Sequence, residues 1–186
     1  IATMYRYNII LSNSDQNETK ELELVDTMLG KQVDGIVMMS DHVTDKIASA
    51  IRQSPVPVVL AGSIINDSSI PSVNIDYFQA AMDAIQLFIN KGHKEIAFVS
   101  GPLEYTINGE HKLGAYKQAL QQANIEINEQ LIDATDGTYD EALLSWESFV
   151  QKAHVPTAIF AGSDEIALGI IHAIQDAGKR VPEDVE

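Results

Sequence analysis

Short β-branched runs alternate with longer segments of helical period along this whole chain, a pattern that admits few folds other than parallel strands covered by helices. The first run is Asn8 to Ser12, after a helix-like opening, and a helix is expected from about Glu18 to Leu29 with Leu22, Val25, Met28 and Leu29 on one face. Gly30 is its expected stop. A strand at Gly35–Met39, a helix at Thr44–Arg52 and a strand at Val56–Leu60, entered through Pro55 and Pro57, complete one series. After a polar loop at Ser63–Ser69 the pattern continues with a strand at Ser72–Ile75, a helix at Tyr77–Asn90 and a strand at Glu95–Val99. A helix at Asn108–Gln122, a strand at Gln130–Asp133, a helix at Tyr139–Lys152, a strand at Thr157–Phe160 and a helix at Glu165–Ala177 follow. Gly92 and Gly178 sit where helices should end, each able to take a left-handed conformation cheaply.

The break near Ile75–Tyr77 divides this α/β chain into two doubly wound parallel-sheet subdomains, residues 1–75 and 76–186, with a ligand cleft expected between them. Such sheets bind ligands beyond the carboxyl ends of their strands. The rule nominates Ser12–Asp15, Met39–Asp41, Ala61–Ser63, Gly101–Leu103 and Gly162–Asp164. The sequence opens at Ile1 without an initiator Met and stops at Glu186 where another strand should begin, so it reads as a fragment truncated at both ends.

Charge and motifs narrow the function. With 27 acidic and 12 basic side chains the net charge is -15, which a phosphate backbone repels, so this stretch should not grip DNA by itself. The absence of Cys excludes a disulfide framework and thiolate metal ligation and fits a cytoplasmic location. Apolar runs such as Val56 to Ala61 fall far short of the ~20 residues a membrane helix needs, so no membrane association is expected. Gly101 to Gly109 has the glycines of a phosphate loop, but Glu110 stands where a Lys should. No Gly-x-Gly-x-x-Gly follows a strand, and no nucleophile elbow surrounds Ser63, Ser100 or Ser163. Catalytic residues and cofactors are therefore expected to be none.

The histidines, His42, His93, His111, His154 and His172, are scattered singly, without the spacing that puts two imidazoles on one helix face, so no metal site is expected. His93 reads as a turn residue and His172 as a helix residue beside the core. Asp164, in Ser163-Asp164-Glu165, can either place a carboxylate in the cleft or serve the start of a helix. Asp76 has the same two readings, with capping favoured.

The final strand-helix unit is more specific: Pro156 to Phe160, Ser163-Asp164, Ala167-Leu168-Gly169, Ala173, and Gly178 through Val181-Pro182-Glu183-Asp184. It resembles the core of the LacI/GalR repressors, in which a strand ending in an Asn-Asp or similar pair precedes an Ala-x-Gly helix and a Gly-x-x-Val-Pro turn. Gly92-His93-Lys94, Phe98 to Leu103 and Lys31 to Ile36 are similar to other landmarks of that family. The resemblance implies a periplasmic-binding-protein-like core, a homodimer, and operator DNA contacted through an amino-terminal helix-turn-helix headpiece absent from these residues. The opening Ile1 to Asp15, Ser54 to Ala61 and Pro71 to Tyr77 resemble a branch that mediates carbon catabolite control. That branch implies serine-phosphorylated HPr, a phosphocarrier protein, as co-repressor on the outside of the core.

Against the family pattern, Lys112 stands where an Arg is common, Gly62 where an acid is frequent, and Ser163 in place of Asn. With Met39 and Asp164 these are the expected effector-cleft residues. Lys lacks the planar fork of Arg, so the cleft is poorly suited to a free sugar and leaves room for a weak sugar-phosphate effector. Resemblance places Tyr5 and Asp15 on the partner surface, although a packed Tyr5 and a loop or capping Asp15 read equally well. A phosphoserine needs cations, and the only arginines are Arg6, Arg52 and Arg180, so the phosphate-reading residues are expected beyond this segment. The alternatives are an exported sugar-binding protein of a transporter, a sugar-responsive LacI-type repressor, and an enzyme on the same fold.

Overall fold

The computed structural model describes residues 2–15, 17–40 and 42–186. They form two compact units, Ile1–Asn74 and Ile75–Glu186, each built on a parallel three-stranded sheet. The α/β class expected from the alternation is the class adopted.

In the first unit, α1 (Glu18–Gly30) starts at Asn17, whose side chain accepts the Lys20 amide at 3.0 Å. β1 (Ile36–Met38), α2 (Asp45–Gln53), β2 (Val58–Ala61) and β3 (Ser72–Val73) follow, and the sheet runs β1-β2-β3. Val25 and Met28 of α1 and Ile47 and Ile51 of α2 pack with Met38, Val58 and Leu60 in one core. Strand alternation decides which residues face it: Val58 and Leu60 are buried, while Val37 points to the other face and is 69% exposed.

Three expectations fail here. Asn8–Ser12 is not a strand: Ile9 and Leu11 stand exposed, Leu11 at 92%, and none of the described strands pairs with the segment. A β-branched run supplies propensity, but a strand also needs a neighbour for its amides and carbonyls. Gly30 does not stop α1; it is the helix's last residue, and Gln32 takes the left-handed turn at φ 56°. Gln32 N donates to Leu29 O at 3.0 Å, satisfying a carbonyl of the last turn without a glycine. The third strand is shorter than read, ending at Val73.

In the second unit, α3 (Tyr77–Asn90) and β4 (Ile96–Ser100) lead to a π-helical turn at Ile107–Leu113 that runs directly into α4 (Gly114–Gln122). β5 (Ile132–Ala134), α5 (Tyr139–Gln151), β6 (Ala158–Ala161) and α6 (Asp164–Asp176) complete it, in sheet order β5-β4-β6. Central β4 is buried along its length because both faces are covered. Ile96 and Phe98 pack with Ile85 of α3 and Tyr116 and Leu120 of α4; Ala97 and Val99 pack with Trp146 and Phe149 of α5 and Ile166 and Ile170 of α6. Each large buried side chain contributes about 1.5–3 kcal/mol relative to exposure. Tyr116 donates its hydroxyl to Ile96 O at 2.8 Å, and burial pushes its phenol well above the usual pKa.

Gly92 (φ 96°) and Gly178 (φ 76°) do close α3 and α6 as read. The strand expected from Gln130 starts at Ile132, because Asn128 caps a 3-10 turn at Glu129–Leu131. At the carboxyl end, Val185 enters the core and Glu186 pairs with the edge of β6, donating to Thr157 O at 3.0 Å and accepting from Ile159 N at 2.7 Å. Among the described residues no helix is long and apolar enough to cross a membrane.

Candidate functional site

In the second unit, β4 and β6 are neighbours, but the helices that follow them lie on opposite faces, α4 in one core cluster and α6 in the other. Adjacent strands whose helices diverge in this way open a crevice beyond their carboxyl ends, the usual ligand position in such sheets. Here it is bounded by the segment after Ser100 and by Gly162-Ser163-Asp164.

Tight packing holds that edge. A Cβ on Gly162 would lie 2.7 Å from Ser100 Cβ, and the Gly162 amide donates to Val99 O at 2.7 Å as the last rung between the strands. A Cβ on Gly109 would collide with the carbonyl oxygen of Leu103, so only glycine lets the π-helical turn approach that loop. Asn108 Nδ2 donates to Pro102 O at 3.2 Å and fastens the same contact. From the end of the turn, half-buried Lys112 extends its Nζ to Gly162 O at 2.7 Å, with the Tyr77 ring centroid 5.9 Å away.

Ser163 and Asp164 divide the roles that sequence left open. Ser163 is the N-cap of α6, its Oγ accepting the Ile166 amide at 3.3 Å. Asp164 is the first residue of the helix and lies exposed, where a carboxylate also favours the helix dipole. Asp76 caps α3, accepting from Gln79 N at 2.9 Å. The structure thus brings Lys112 and Ser163 to one edge, through Gly162, and leaves Asp164 beside them facing solvent.

The other nominated positions belong to the first unit. Met39 follows β1 and is exposed; Gly62 follows β2 at φ 76° and donates to Val73 O at 3.0 Å. Asp41 lies outside the described residues. Buried Ser63 ties these ends together: its Oγ accepts from Ser40 N at 3.2 Å and donates to Ser40 O, and its own carbonyl accepts Asn74 Nδ2 at 2.9 Å. Sequence reasoning gave Ser63 no such role, and nothing local marks it, since Ser40 and Ser63 meet only through strand pairing. Tyr77 and Asn108 were likewise missed; the Asn108-Gly109 pair was the available signal.

Tyr5 is exposed in a 3-10 turn at Ala2–Tyr5 and is not packed. Asp15 is a loop residue at φ 52°, paired with Lys20 and accepting from Asn13 Nδ2 at 2.7 Å. The histidines remain apart: His93 contacts Thr157 Oγ1 (2.9 Å) and Glu186 Oε2 (3.1 Å), and His172 contacts the Tyr139 hydroxyl at 2.6 Å. Among the described residues no group of three or more His, Cys, Asp or Glu side chains is arranged to hold a metal. A cavity of about 590 Å³ lies at the opposite, amino-terminal ends of β4 and β5, lined among others by Lys94, Tyr116, Leu120 and Ile127.

Residues 2–186 match the family described as periplasmic binding proteins and sugar binding domain of the LacI family. Catabolite control protein A of Priestia megaterium is 54% identical over 186 residues, all of this chain and 56% of that protein. Transcription regulator CcpA of Lactococcus lactis has a crystal structure similar at TM-score 0.89 and 40% identity, covering 100% of this chain and 68% of that one. The transcriptional regulator CelR in its cellobiose complex is similar at TM-score 0.81 and 28% identity, over 98% of this chain and 56% of that one. These relatives are transcription regulators, and the chain spans little more than half the length of the Priestia protein. A whole-chain family match, two parallel α/β units and this similarity lead to one conclusion: the chain belongs to the family of periplasmic binding proteins and LacI-type sugar-binding domains.

Proposed function

We propose that this chain is the sensing core of a cytoplasmic transcription regulator of carbon catabolite control, dimeric and without enzymatic activity of its own. The observation that carries the reading is the 54% identity to catabolite control protein A across every residue of the chain. The charge of -15 supports a division of labour in which a separate helix-turn-helix domain contacts operator DNA. Serine-phosphorylated HPr is the proposed co-repressor, with exposed Tyr5 and Asp15 on its docking surface. Two of the three arginines, Arg52 and Arg180, are already engaged by Asp67 (2.7 Å) and Asp184 (3.1 Å), which supports reading the phosphate with cations outside this chain. Met39 and Gly62 in one unit, and Lys112, Ser163 and Asp164 in the other, are the proposed effector-facing residues. A sugar phosphate is the proposed weak ligand of Lys112 in the second unit, because an ammonium holds phosphate as a point charge without a fork.

Partner binding acts by favouring one of two states of the core that differ in affinity for operator. Calorimetry of the full-length protein with phosphorylated and unphosphorylated HPr, with and without operator DNA, tests this. The phosphorylated form should bind selectively and tighten operator binding, and Tyr5→Ala should weaken it about tenfold or more, as for an aromatic anchor. Equal binding of both forms with no change in DNA affinity would refute the partner claim. The similarity to CelR in its cellobiose complex favours one second reading, a sugar-responsive repressor, which tight binding of a free sugar in the same calorimeter would establish.

A further inference from the structure

We infer that Lys112 is a positioning residue, an internal latch that occupies the carboxyl edge of the second sheet and keeps uncharged sugars from it. The geometry begins with the sheet. The β4–β6 ladder ends at Val99 and Ala161, and the Gly162 amide makes the last rung to Val99 O, leaving the Gly162 carbonyl past the end of the ladder. A carbonyl in that position needs a donor. Lys112 supplies it from the π-helical turn, fifty residues earlier in the chain, with Nζ 2.7 Å from the oxygen.

Both ends of this bond are held. Gly162 cannot shift toward β4, because Ser100 Cβ fills the space a side chain would need. The π-helical turn is fixed by the Gly109 approach to Leu103 O and by Asn108 on Pro102 O. The Tyr77 ring, 5.9 Å from Nζ, adds a favourable electrostatic face. Bulges of π geometry recur at functional sites because they re-aim side chains that a regular helix would direct elsewhere.

The consequence is selectivity. A sugar hydroxyl entering this edge would have to compete with the Gly162 carbonyl for the ammonium and displace a charge-assisted bond already made within the protein. The same bond joins the π-helical turn to the start of α6, so breaking it loosens both. For its biological meaning the inference rests on the proposed reading, a core that answers to a protein partner in place of a free sugar.

The test compares Lys112→Met, Lys112→Arg and the unaltered full-length protein. Hydrogen exchange should quicken about tenfold in peptides covering 107–113 and 163–166 of Lys112→Met, while β4 keeps its protection; this is the scale expected for one charged hydrogen bond. Lys112→Arg, which keeps a cationic donor, should restore protection to within about twofold. Glucose, titrated by calorimetry, should bind Lys112→Met at least about tenfold more tightly than the unaltered protein. Exchange unchanged in Lys112→Met, failure of Arg to rescue it, or unchanged glucose affinity would each overturn the latch. If Lys112→Met does not fold, Lys112→Gln carries the same comparisons. Failure of phosphorylated HPr to bind would refute the proposed function and leave these exchange rates as they are.

Discussion

Ser145 offers a sharp energetic test of the second unit. It lies on α5 and is 1% exposed, and its hydroxyl has no hydrogen-bond partner among the described residues. An unmet buried hydroxyl costs about 1–3 kcal/mol of desolvation, and Ala is the better helix former by up to about 0.7 kcal/mol. Ser145→Ala keeps the Cβ and removes only the oxygen, so the variant should be about 1–3 kcal/mol more stable. With a urea m-value of about 1–3 kcal/mol/M, the midpoint should rise by about 1 M at unchanged slope. Ser100→Ala is the matched control, because Ser100 is equally buried but donates to Gly101 O at 2.9 Å. Its loss should cost about 1 kcal/mol. Opposite signs at two buried serines of one unit are the diagnostic result. If Ser145→Ala is destabilised as much as Ser100→Ala, the hydroxyl is satisfied and the reasoning is refuted.

Gly109→Ala should destabilise by about 2 kcal/mol in the same urea assay, since overpacking costs about 1–3 kcal/mol or more and the gain in helix propensity returns only about 1. A neutral result would mean that the π-helical turn leaves room beside the Leu103 carbonyl for a methyl group at position 109. On acidification, hydrogen bonds from the Arg180 side chain and amide hold the Asp184 carboxyl down to about pKa 2 from 3.8, and the Lys91 ammonium lowers that of Glu186. A depressed folded pKa gives stability that is present above the unfolded value and lost as pH falls through the folded one. The contribution of Asp184 should therefore fade between about pH 4 and pH 2, and Asp184→Asn should flatten that part of the curve in thermal melts. An identical pH profile in the variant would show that the Arg180 pairing does not shape acid stability.

What could be read from the sequence, and what could not, divides along a physical line. β4 was located to within one residue because burial on both faces forces an unbroken apolar run. The closing turns at Gly92 and Gly178 were legible because a left-handed residue is a local requirement. Asn8–Ser12 carries equally strong strand composition and forms none, because pairing belongs to the neighbour and not to the run. The same distinction governs the site. Strand ends nominated Ser63, Gly101 and Gly162 by topology alone, and Lys112 was singled out as a departure from a family pattern. That the Lys112 ammonium would reach a main-chain carbonyl fifty residues away depends on the register of β4 against β6 and on the extra residue in a π turn. Neither leaves a mark in hydrophobic periodicity, since Asn108 to Gln122 satisfies a regular helix equally well. A residue that looked like a weakened ligand group is, in three dimensions, already bonded within the protein, so substituting it should change what the crevice accepts as well as how tightly its walls are held.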